Sequence, residues 1–543
     1  MKSGLCLLVL LFSCFILFAQ EDAWVYLTDK QDVVTSIANP ISILTQKAID
    51  RKNRHGVSID ARDVPVNESY ISQLKGETGI TVLAKSKWFN AVHVRGDLSD
   101  IQALGGLSFV NTIDFADKNL NTTSKFSKEK RVSKLEGSFT TFDYGDAANQ
   151  IEMFNGDALH QHPSNYTGTG MTIAVLDAGF PKVNVMSSFQ RTRTAGNIKG
   201  SYDFVNRDTD VYTGTTSNHG TWVLSDMAGY IENEFVGTAP DASYYLFITE
   251  DGTSENPVEE SYWVEAAERA DSLGVDIINT SLGYTTYDNS NYSYTPSDMD
   301  GNTAYITKGA NIAFEKGMLL VNSAGNSGSP SDPWQIVGAP ADASGVLSVG
   351  AVKFDGTYAD FSSKGSATQP TQKPDVVAQG EASYIINEND EIATANGTSF
   401  SSPILAGGIA CLWQALPDKT NAEIMQLVRE SASQYNAPDF FLGYGIPNLE
   451  AALNVALSVD SNEIESKNMR LFPNPFKDEL YIKLPVQGNT NELHIYDVLG
   501  KGIKRYKLSS ISSKIDVSTL LKGVYIAKVT SDNHSKIFKI VKQ

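Results

Sequence analysis

Short apolar runs alternate with longer amphipathic stretches through the middle of the chain. Five runs have the length and the continuous apolar character of strands that are buried on both faces: Thr172–Leu176, Tyr244–Ile248, Val275–Ile278, Met318–Val321 and Val346–Val349. Between them lie two helical stretches, Val258–Leu273 and Ala304–Lys316, and a glycine follows each of them, as it often follows a helix. The alternation predicts an α/β fold, with a mostly parallel sheet and helices on both faces, over residues 145–460.

Smaller segments with different patterns flank this domain. Residues 21–116 have their own strand and helix patterns, which predict a small α+β unit. Residues 117–144 contain many Asn, Thr, Ser and Lys but few large apolar side chains, which is typical of a linker. Residues 466–543 consist of short strand-like segments separated by turns, and they predict a small all-β module.

The distribution of charge supports a separate C-terminal module. Residues 469–543 contain 13 Lys and Arg against 6 Asp and Glu, a net charge of +7, whereas the whole chain carries −19. The remaining residues therefore carry −26. Such an acidic body argues against nucleic acid as a partner, because binding nucleic acid requires a basic face.

The first twenty residues predict an export signal. Lys2 precedes an apolar run from Leu5 to Phe18, and polar sequence follows at once. This run is short for a membrane span, so we expect none in the mature form. Lipidation at Cys14 is an alternative that the residues before it fit poorly. Removal of the signal leaves Cys411 as the only cysteine, and its place within an apolar helix favours a buried structural thiol.

Histidine is scarce in the α/β domain, since His219 is the only one between residues 163 and 493. It precedes a stretch of helical character, so we expect it at a helix start, facing the strand ends. A serine hydroxyl becomes an effective nucleophile when such a base takes its proton and an acid fixes the tautomer of the base. On its own, His219 fits a polar loop residue equally well.

Three further polar residues follow a strand or open a helix. Asp177 follows the first buried strand, Asn326 lies in a glycine-flanked turn after the fourth, and Ser399 precedes a long apolar helix. Each residue alone also fits a structural role, as a turn residue or a helix cap. Because sites in parallel sheets gather at the carboxyl ends of the strands, the combination favours an active site.

Four segments match, in order, the signature motifs of the subtilases, the subtilisin-like serine proteases. The last of them is highly specific. The segments are Asp177-Ala-Gly179, His219-Gly-Thr221, Ala324-Gly-Asn-Ser-Gly328 and Gly397-Thr-Ser-Phe-Ser-Ser-Pro403. The resemblance covers residues 145–457 and implies a subtilisin-like fold.

The resemblance also implies a role for each of these residues. Ser399 is the nucleophile, His219 is the general base and then the acid, and Asp177 orients His219. Asn326, with the Ser399 amide, holds the oxyanion. A further segment resembles the one that pairs with the substrate backbone, and it consists of Ser281, Leu282 and Gly283.

One departure from the family concerns the residue after Asp177. The family often has a hydroxyl residue there, whereas this chain has Ala178. We therefore expect one support for the Asp177 carboxylate to be missing.

The flanking segments resemble modules found with such enzymes. Residues 21–116 resemble an inhibitory subtilase propeptide, which implies a maturation site within residues 117–144. Residues 466–543 resemble the C-terminal sorting domain of type IX secretion in the Bacteroidetes, through Phe472-Pro-Asn-Pro-Phe476 and Tyr496-Asp-Val-Leu-Gly500. These resemblances imply a secreted or cell-surface protein whose partners are protein or peptide substrates, its own propeptide and the type IX secretion machinery. A carbohydrate- or cell-wall-binding module is the alternative for the C-terminal segment.

The sequence thus predicts a secreted serine endopeptidase that is made as a zymogen and acts through an acyl-enzyme. A catalytically silent surface or adhesion protein on the same scaffold is one rival hypothesis. An esterase is another, although the chain lacks the Gly-x-Ser-x-Gly elbow and the residue order of lipase-like folds.

No cofactor is required for the predicted chemistry, and no metal ligands are assigned. The stretch Tyr284–Asp300, rich in Tyr, Asn, Ser and Asp, is either a substrate-side loop or a structural calcium site. Its spacing matches no EF-hand.

Overall fold

The computed structural model describes residues 20–121, 142–457, 469–484, 491–508, 512–531 and 534–543. The chain divides into two compact units, Met1–Ala452 and Leu453–Gln543. Residues 1–19 of the export signal predicted at 1–20, and most of the maturation linker predicted at 117–144, lie outside the described residues. The finer domain boundaries stay predictions.

The first unit begins with an α+β fold, as predicted from the sequence. Its four strands form an antiparallel sheet in the order β2-β3-β1-β4. They are β1 (Glu21–Leu27), β2 (Thr81–Ser86), β3 (Ala91–Gly96) and β4 (Val110–Phe115). The helices are α1 (Val33–Ala38), α2 (Gln46–Arg54), α3 (Glu68–Gly76) and α4 (Leu98–Ala103). Val25, Leu74 and Val92 are fully buried in the core of this fold.

Seven parallel strands form the central sheet of the first unit, in the order β13-β12-β11-β10-β5-β9-β6. They are β5 (Thr172–Asp177), β6 (Ile198–Asp203), β9 (Ser243–Ile248), β10 (Ile277–Thr280), β11 (Leu319–Ser323), β12 (Val346–Val352) and β13 (Val376–Gln379). Two antiparallel pairs lie beside the sheet: β7 (Tyr230–Ile231) with β8 (Phe235–Val236), and β14 (Ser383–Ile386) with β15 (Ile392–Ala395).

Helices precede, connect and follow these strands along the chain. They are α5 (Ala148–Glu152), α6 (Asp157–His160), α7 (Gln190–Thr194), α8 (His219–Ala228), α9 (Val258–Leu273), α10 (Tyr305–Glu315), α11 (Thr398–Ala415) and α12 (Asn421–Glu430). Residues 449–457 are also helical. Within the parts of the chain that the structure describes, no helix has the length and apolar character needed to cross a bilayer.

Helices cover both faces of the central sheet, as the apolar strands predicted. Ile278 of β10 shares a hydrophobic core with residues of α9 and α10. The next residue, Asn279, points to the opposite face. There its side-chain oxygen accepts a hydrogen bond of 2.9 Å from Ser402 of α11. The sheet is therefore the middle of three layers.

The sequence pattern located five of these seven strands and missed two. Strand β6 is an edge strand with several partly exposed residues, so it lacks a continuous apolar run. Strand β13 is fully buried but only four residues long. The predicted Val275–Ile278 strand lies at residues 277–280, because apolar character alone does not mark where pairing begins.

The N-terminal α+β fold packs on α9 and α10. The ring of Trp24 stacks on Tyr305 with 4.6 Å between centroids, and its indole N–H donates to Ser261 at 2.8 Å. The Glu268 carboxylate accepts hydrogen bonds of 2.9 Å from the backbone N–H groups of Lys87 and Trp88. A carboxylate of the α/β domain thus provides hydrogen-bond acceptors for the backbone N–H groups that follow strand β2.

Apart from the helical residues 453–457, the regular elements described in the second unit are β-strands, as predicted. Its two antiparallel sheets are β16-β17-β20 and β19-β18-β21-β22. The strands are β16 (Arg470–Phe472), β17 (Glu479–Lys483), β18 (Asn491–Tyr496), β19 (Gly502–Lys507), β20 (Ser512–Asp516), β21 (Gly523–Ser531) and β22 (His534–Lys542). Leu480, Leu493 and Val529 are fully buried in its core. The sequence pattern missed β19 and β20, whose polar residues outnumber their apolar ones.

Candidate active site

Asp177 and His219 meet at the carboxyl edge of the central sheet. Asp177 is the last residue of β5, and His219 is the first residue of α8, as expected. His219 Nδ1 lies 2.8 Å from Asp177 Oδ1. The carboxylate is fully buried, whereas the imidazole remains 27% exposed. A hydrogen bond from Nδ1–H to the carboxylate leaves Nε2 as the nitrogen that can accept a proton.

Glycine allows the two elements to approach this closely. A Cβ atom at Gly220 would lie 2.5 Å from the carbonyl oxygen of Gly179, in the turn that follows Asp177. Such a contact is too short for any side chain. The glycine after His219 therefore allows the start of α8 to pack directly on the turn after β5.

The two oxygens of Asp177 have different surroundings. Oδ1 accepts hydrogen bonds from His219 and from the backbone N–H of Ala178, the latter at 2.8 Å. Oδ2 is buried and has no hydrogen-bond partner among the described residues. This agrees with the expectation from the sequence, because alanine at position 178 offers no hydroxyl group.

The surroundings of His219 favour its protonated form. Burial disfavours the charged imidazolium, but attraction to Asp177 and the hydrogen bond to it outweigh burial, with a smaller contribution from Glu250. The pKa of His219 is therefore raised above its ordinary value of 6.5. Burial also raises the pKa of Glu250 above its ordinary value of 4.5. Asp177 therefore contributes more than Glu250 to the raised pKa of His219.

Ser399 lies in the first turn of α11 and contacts the end of β10. Its hydroxyl donates to the carbonyl oxygen of Ser281 at 3.2 Å, and the Ser281 hydroxyl donates to the carbonyl oxygen of Ser399 at 2.8 Å. Among the described residues, Ser399 makes no hydrogen bond to His219, although the ring of the adjacent Phe400 lies 6.0 Å from the imidazole. Contact with His219 therefore requires the Ser399 hydroxyl to leave Ser281. Catalytic hydrogen bonds often form only when substrate is bound.

The side chain of Asn326 is oriented by the start of α11. Its Oδ1 accepts hydrogen bonds from the backbone N–H of Thr398 at 2.8 Å and from the Thr398 hydroxyl at 3.0 Å. These bonds assign the oxygen end of the amide and leave Nδ2–H to donate elsewhere. The neighbouring Gly325 has a φ of +102°, which favours glycine, and its N–H donates to Thr398 Oγ1 at 3.1 Å.

A cavity of about 180 Å³ opens beside Ser399. The predicted oxyanion and substrate-backbone residues all line it, namely Ser281, Leu282, Gly283 and Asn326. Trp334, Ile336 and Gly338 also contribute to its walls, and none of the described residues that line it is charged. The structure therefore brings every predicted site residue to one edge of the sheet, with Asp177 and His219 outside the cavity and Ser399 at its border.

Several neighbours of this site were missed from the sequence. Thr398 lies within the Gly397–Pro403 motif, so the sequence contained a signal for its role in holding Asn326. Trp334 and Glu250 come from loops whose path no local pattern predicts. Only the tertiary structure shows that they reach the site.

Cys411 has a histidine neighbour that the sequence did not indicate. His160 Nε2 lies 3.6 Å from Cys411 Sγ, and the thiol donates to the carbonyl oxygen of Thr238 at 3.3 Å. Burial raises the pKa of the thiol well above its usual range and lowers the pKa of His160 to about 4. Both groups are therefore uncharged at neutral pH, which argues against a reactive thiolate.

The tyrosine-rich stretch after Gly283 packs inside the protein and against the N-terminal fold. The hydroxyls of Tyr287 and Tyr294 donate to the Glu260 carboxylate at 2.6 and 2.7 Å, and the Tyr292 hydroxyl donates to Glu21 at 3.0 Å. Among the described residues, no group of three or more His, Cys, Asp or Glu side chains is arranged to hold a metal ion.

Three family models match the chain, in the order that the sequence resemblances indicated. The subtilase family model matches residues 168–445, slightly more than half of the chain. The model of the Bacteroidota peptidase S8 propeptide domain matches residues 22–133. The model of the secretion system C-terminal sorting domain matches residues 470–543. The three resemblances are thereby confirmed.

Curated proteins similar to this chain include two subtilisins. Subtilisin E of Bacillus subtilis (strain 168) is 30% identical over 331 residues, which cover 60% of this chain and 77% of that protein. Subtilisin of Bacillus pumilus is 30% identical over 304 residues, which cover 56% of this chain and 97% of that protein. These relatives support a serine endopeptidase.

A solved structure supports the fold. The epidermin leader peptide processing serine protease of Staphylococcus aureus superposes with a TM-score of 0.53 at 15% identity, covering 81% of this chain and 99% of that chain. At this identity the likeness concerns the fold alone.

The C-terminal match bears on the destination of the protein. A sorting domain at residues 470–543 indicates export, to the medium or to the cell surface. Together with the match over residues 168–445, it identifies the family and the domain organisation of the chain. The chain belongs to the subtilase family of serine endopeptidases, with a Bacteroidota-type propeptide domain before the enzyme domain and a secretion sorting domain after it.

Proposed function

We propose that this protein is a secreted endopeptidase, made as an inactive precursor, that hydrolyses peptide bonds with Ser399, His219 and Asp177. The observation that carries the proposal is the hydrogen bond of 2.8 Å between His219 and the buried Asp177, close to the start of α11 where Ser399 lies. In this arrangement a base with a fixed tautomer lies near the start of the helix whose serine borders an uncharged cavity.

The first half of the reaction forms an acyl-enzyme. Ser399 Oγ leaves Ser281, transfers its proton to His219 Nε2 and attacks the carbonyl carbon of the scissile bond. Asp177 stabilises the imidazolium that results. The N–H donors of Asn326 and of the Ser399 backbone stabilise the negative oxygen of the tetrahedral intermediate. His219 then gives its proton to the leaving amine, and the peptide bond breaks.

The second half returns the enzyme to its starting state. Water enters, His219 Nε2 takes a proton from it, and the oxygen attacks the acyl carbon. Collapse of the second intermediate returns the proton to Ser399 Oγ and releases the new carboxylate. Each proton and electron pair is accounted for by side chains of this chain, so the proposed chemistry requires no cofactor.

The partners follow from the same proposal. Protein or peptide substrates pair with Ser281, Leu282 and Gly283, which line the cavity beside Ser399. The N-terminal α+β fold acts as the inhibitory propeptide, and the sorting domain addresses the protein to the type IX secretion machinery. The matches to the propeptide and sorting-domain models support these roles.

The nucleophile is tested with a fluorophosphonate probe and a peptide substrate. Ser399→Ala should abolish both labelling and turnover while the fold remains intact. Because the triad acts as a unit, adding His219→Ala to this variant should lower the residual rate little further. Labelling is read by peptide mass mapping, and turnover by release of a fluorogenic group.

Ser401→Ala is the matched control for this substitution. Ser401 lies on the same turn of α11, but it is fully buried and its hydroxyl donates to the Thr398 carbonyl at 3.0 Å. This variant should still be labelled at Ser399. Absence of labelling in the matured, unsubstituted protein would instead favour a catalytically silent scaffold.

The pH dependence of kcat/KM tests the role of His219. Because the imidazole must be neutral to accept the Ser399 proton, the rate should fall as pH drops through its pKa, which lies above 6.5. Asp177→Asn removes the attraction that raises this pKa. It should therefore move the acid limb to lower pH and reduce the rate by about 10⁴.

Glu250→Gln provides the control for this profile. Its acid limb should lie closer to that of the parent than the limb of Asp177→Asn does, since Glu250 contributes less than Asp177 to the raised pKa of His219. A rate that stays flat from pH 5 to pH 8 would be inconsistent with a histidine base.

Asn326→Ala tests the oxyanion donor. We expect kcat to fall by about 10²–10³ with little change in KM, a magnitude known from subtilisin, because the amide acts mainly on the transition state. Steady-state kinetics on one peptide substrate give both constants. Thr398→Val, which removes one of the two bonds that hold Asn326, should cost much less. A loss confined to KM would place Asn326 outside the oxyanion hole.

Processing at both ends tests the precursor hypothesis. The secreted enzyme should begin between Asp117 and Phe142 and end before Leu471. The Ser399→Ala protein should keep its propeptide if cleavage is autocatalytic. Intact-mass measurement of protein from the culture medium gives both ends. Active enzyme with a mass that spans Glu21 to Gln543 would rule out both the zymogen and the removal of the sorting domain.

A further inference from the structure

A segment of the N-terminal fold contacts the α/β domain far from the active site. This segment consists of residues 45–64, lies between β1 and α3 and includes α2. We name it the clamp segment. Lys47 Nζ lies 3.0 Å from the carboxylate of Asp276, whose backbone N–H donates to the carbonyl of Thr172 at 2.9 Å. Thr172 begins β5 and Asp177 ends it, about 17 Å further along the strand. The clamp segment therefore sits at the sheet edge opposite to the active site.

Four buried charged side chains join the clamp segment to the α/β domain. Lys52 of α2 lies 2.8 Å from Asp271 of α9 and 3.1 Å from Asp63. Lys316, which follows α10, lies 2.7 Å from Asp63. The side chains of these four residues are at most 1% exposed. Each side of the contact thus supplies one buried cation and one buried anion, and the charges pair across it.

Arg51, also in α2, extends this network through contacts with the α/β domain. Its guanidinium donates to the Asp271 carboxylate and to the carbonyl oxygen of Val275, which precedes β10. It also donates to the carbonyl oxygen of Lys316 at 3.2 Å. One side chain of the clamp segment thereby donates hydrogen bonds to carbonyl oxygens that follow both α9 and α10.

The backbone of the α/β domain is shaped for this contact. A Cβ atom at Gly274 would lie 2.6 Å from the backbone nitrogen of Ala48, and one at Gly317 would lie 2.9 Å from the side chain of Val57. Both glycines have positive φ, +81° and +89°, and follow α9 and α10. The same residues that end the two helices therefore leave space for the clamp segment.

Removal of one of these charges by substitution leaves its cross-partner buried in the docked state. That partner keeps its desolvation penalty and loses its attraction, which is costly. The docked state therefore depends on both members of each buried pair more strongly than on an exposed ion pair. Lys47, which is 42% exposed, is an example of the weaker kind.

We propose that the clamp segment is a second docking site, which keeps the propeptide on the enzyme after the linker has been cut. The proposal rests on the function proposed above, in which this fold is the inhibitory propeptide. The surface it occupies is formed by Asp271, Gly274, Val275, Lys316 and Gly317, and it fits a basic helix followed by an aspartate. Relief of inhibition then requires this remote contact to open as well as the linker to be cut.

The test uses the full chain with Ser399→Ala as the parent, so that no step depends on catalysis. The recognition sequence of an unrelated, sequence-specific protease is inserted between residues 130 and 131. After complete cleavage, verified by intact mass, the protein is diluted, and the propeptide that remains bound is measured by size exclusion at intervals. Lys52→Met and Asp271→Asn alter the network from opposite sides.

Both variants should release the propeptide at least about thirtyfold faster than the parent, as expected when one partner of a buried charge pair is removed. Lys47→Met, the matched control at an exposed ion pair, should stay within about threefold of the parent. Release at the parent rate in both network variants would overturn the proposal. It would also be overturned if Lys47→Met accelerated release as much as Lys52→Met.

Hydrogen exchange of the β1–β4 amides, measured before cleavage, separates docking from folding. Faster release with these amides still protected supports the clamp. If Lys52→Met removes their protection, Asp271→Asn decides the matter, because it leaves the propeptide sequence unchanged. Failure of the proposed catalytic function is seen separately, as processing of the Ser399→Ala parent before the added protease is present.

Discussion

The pairing of β10 between β5 and β11 is the constraint on which the active site depends. In this register Leu176 lies beside Thr280, and Thr280 lies beside Asn322. The chain segments that leave these three parallel strands therefore emerge side by side, about 4.8 Å apart. They deliver Asp177, the Ser281 segment and the turn of Asn326 to one edge. A slip of one residue would turn each side chain to the other face of the sheet, where a different helix layer packs.

The other two residues of the proposed triad lie at the starts of helices. His219 and Ser399 come from the first turns of α8 and α11, which lie on the same side of the sheet and pack on each other. Their placement depends on small backbone details, such as the close approach at Gly220 and the two hydrogen bonds between Asn326 and Thr398. The site is therefore held by backbone geometry and short polar contacts, while the hydrophobic core fixes the elements that carry them.

The N-terminal fold meets the enzyme domain in two chemically different ways. Near Trp24 the contact is aromatic and apolar, with hydrogen bonds to Ser261 and Glu268 satisfying polar groups. At the clamp segment it consists of buried charges from both sides, centred on Lys52 and Asp271. Apolar contact tolerates small shifts, whereas buried charges demand their partners at specific positions. The apolar contact therefore holds the N-terminal fold on the enzyme domain, and the charged contact fixes its orientation there.

The sequence by itself determined the kind of elements and the chemistry they carry. Continuous apolar runs identified β5, β9, β11 and β12 because strands buried on both faces must be apolar throughout, and the motifs around Asp177, His219, Asn326 and Ser399 are local in the chain. The edge strand β6 and the polar strands β19 and β20 were not predicted, because their residues carry no comparable apolar pattern. Several contacts join residues that lie 31 to 253 positions apart, and in most cases more than a hundred. They are the hydrogen bond from Ser399 to Ser281, the effect of Glu250 on the pKa of His219, the contact of His160 with Cys411, and the ion pairs Lys52–Asp271 and Asp63–Lys316. Such contacts depend on how distant elements pack, and only the tertiary structure decided them.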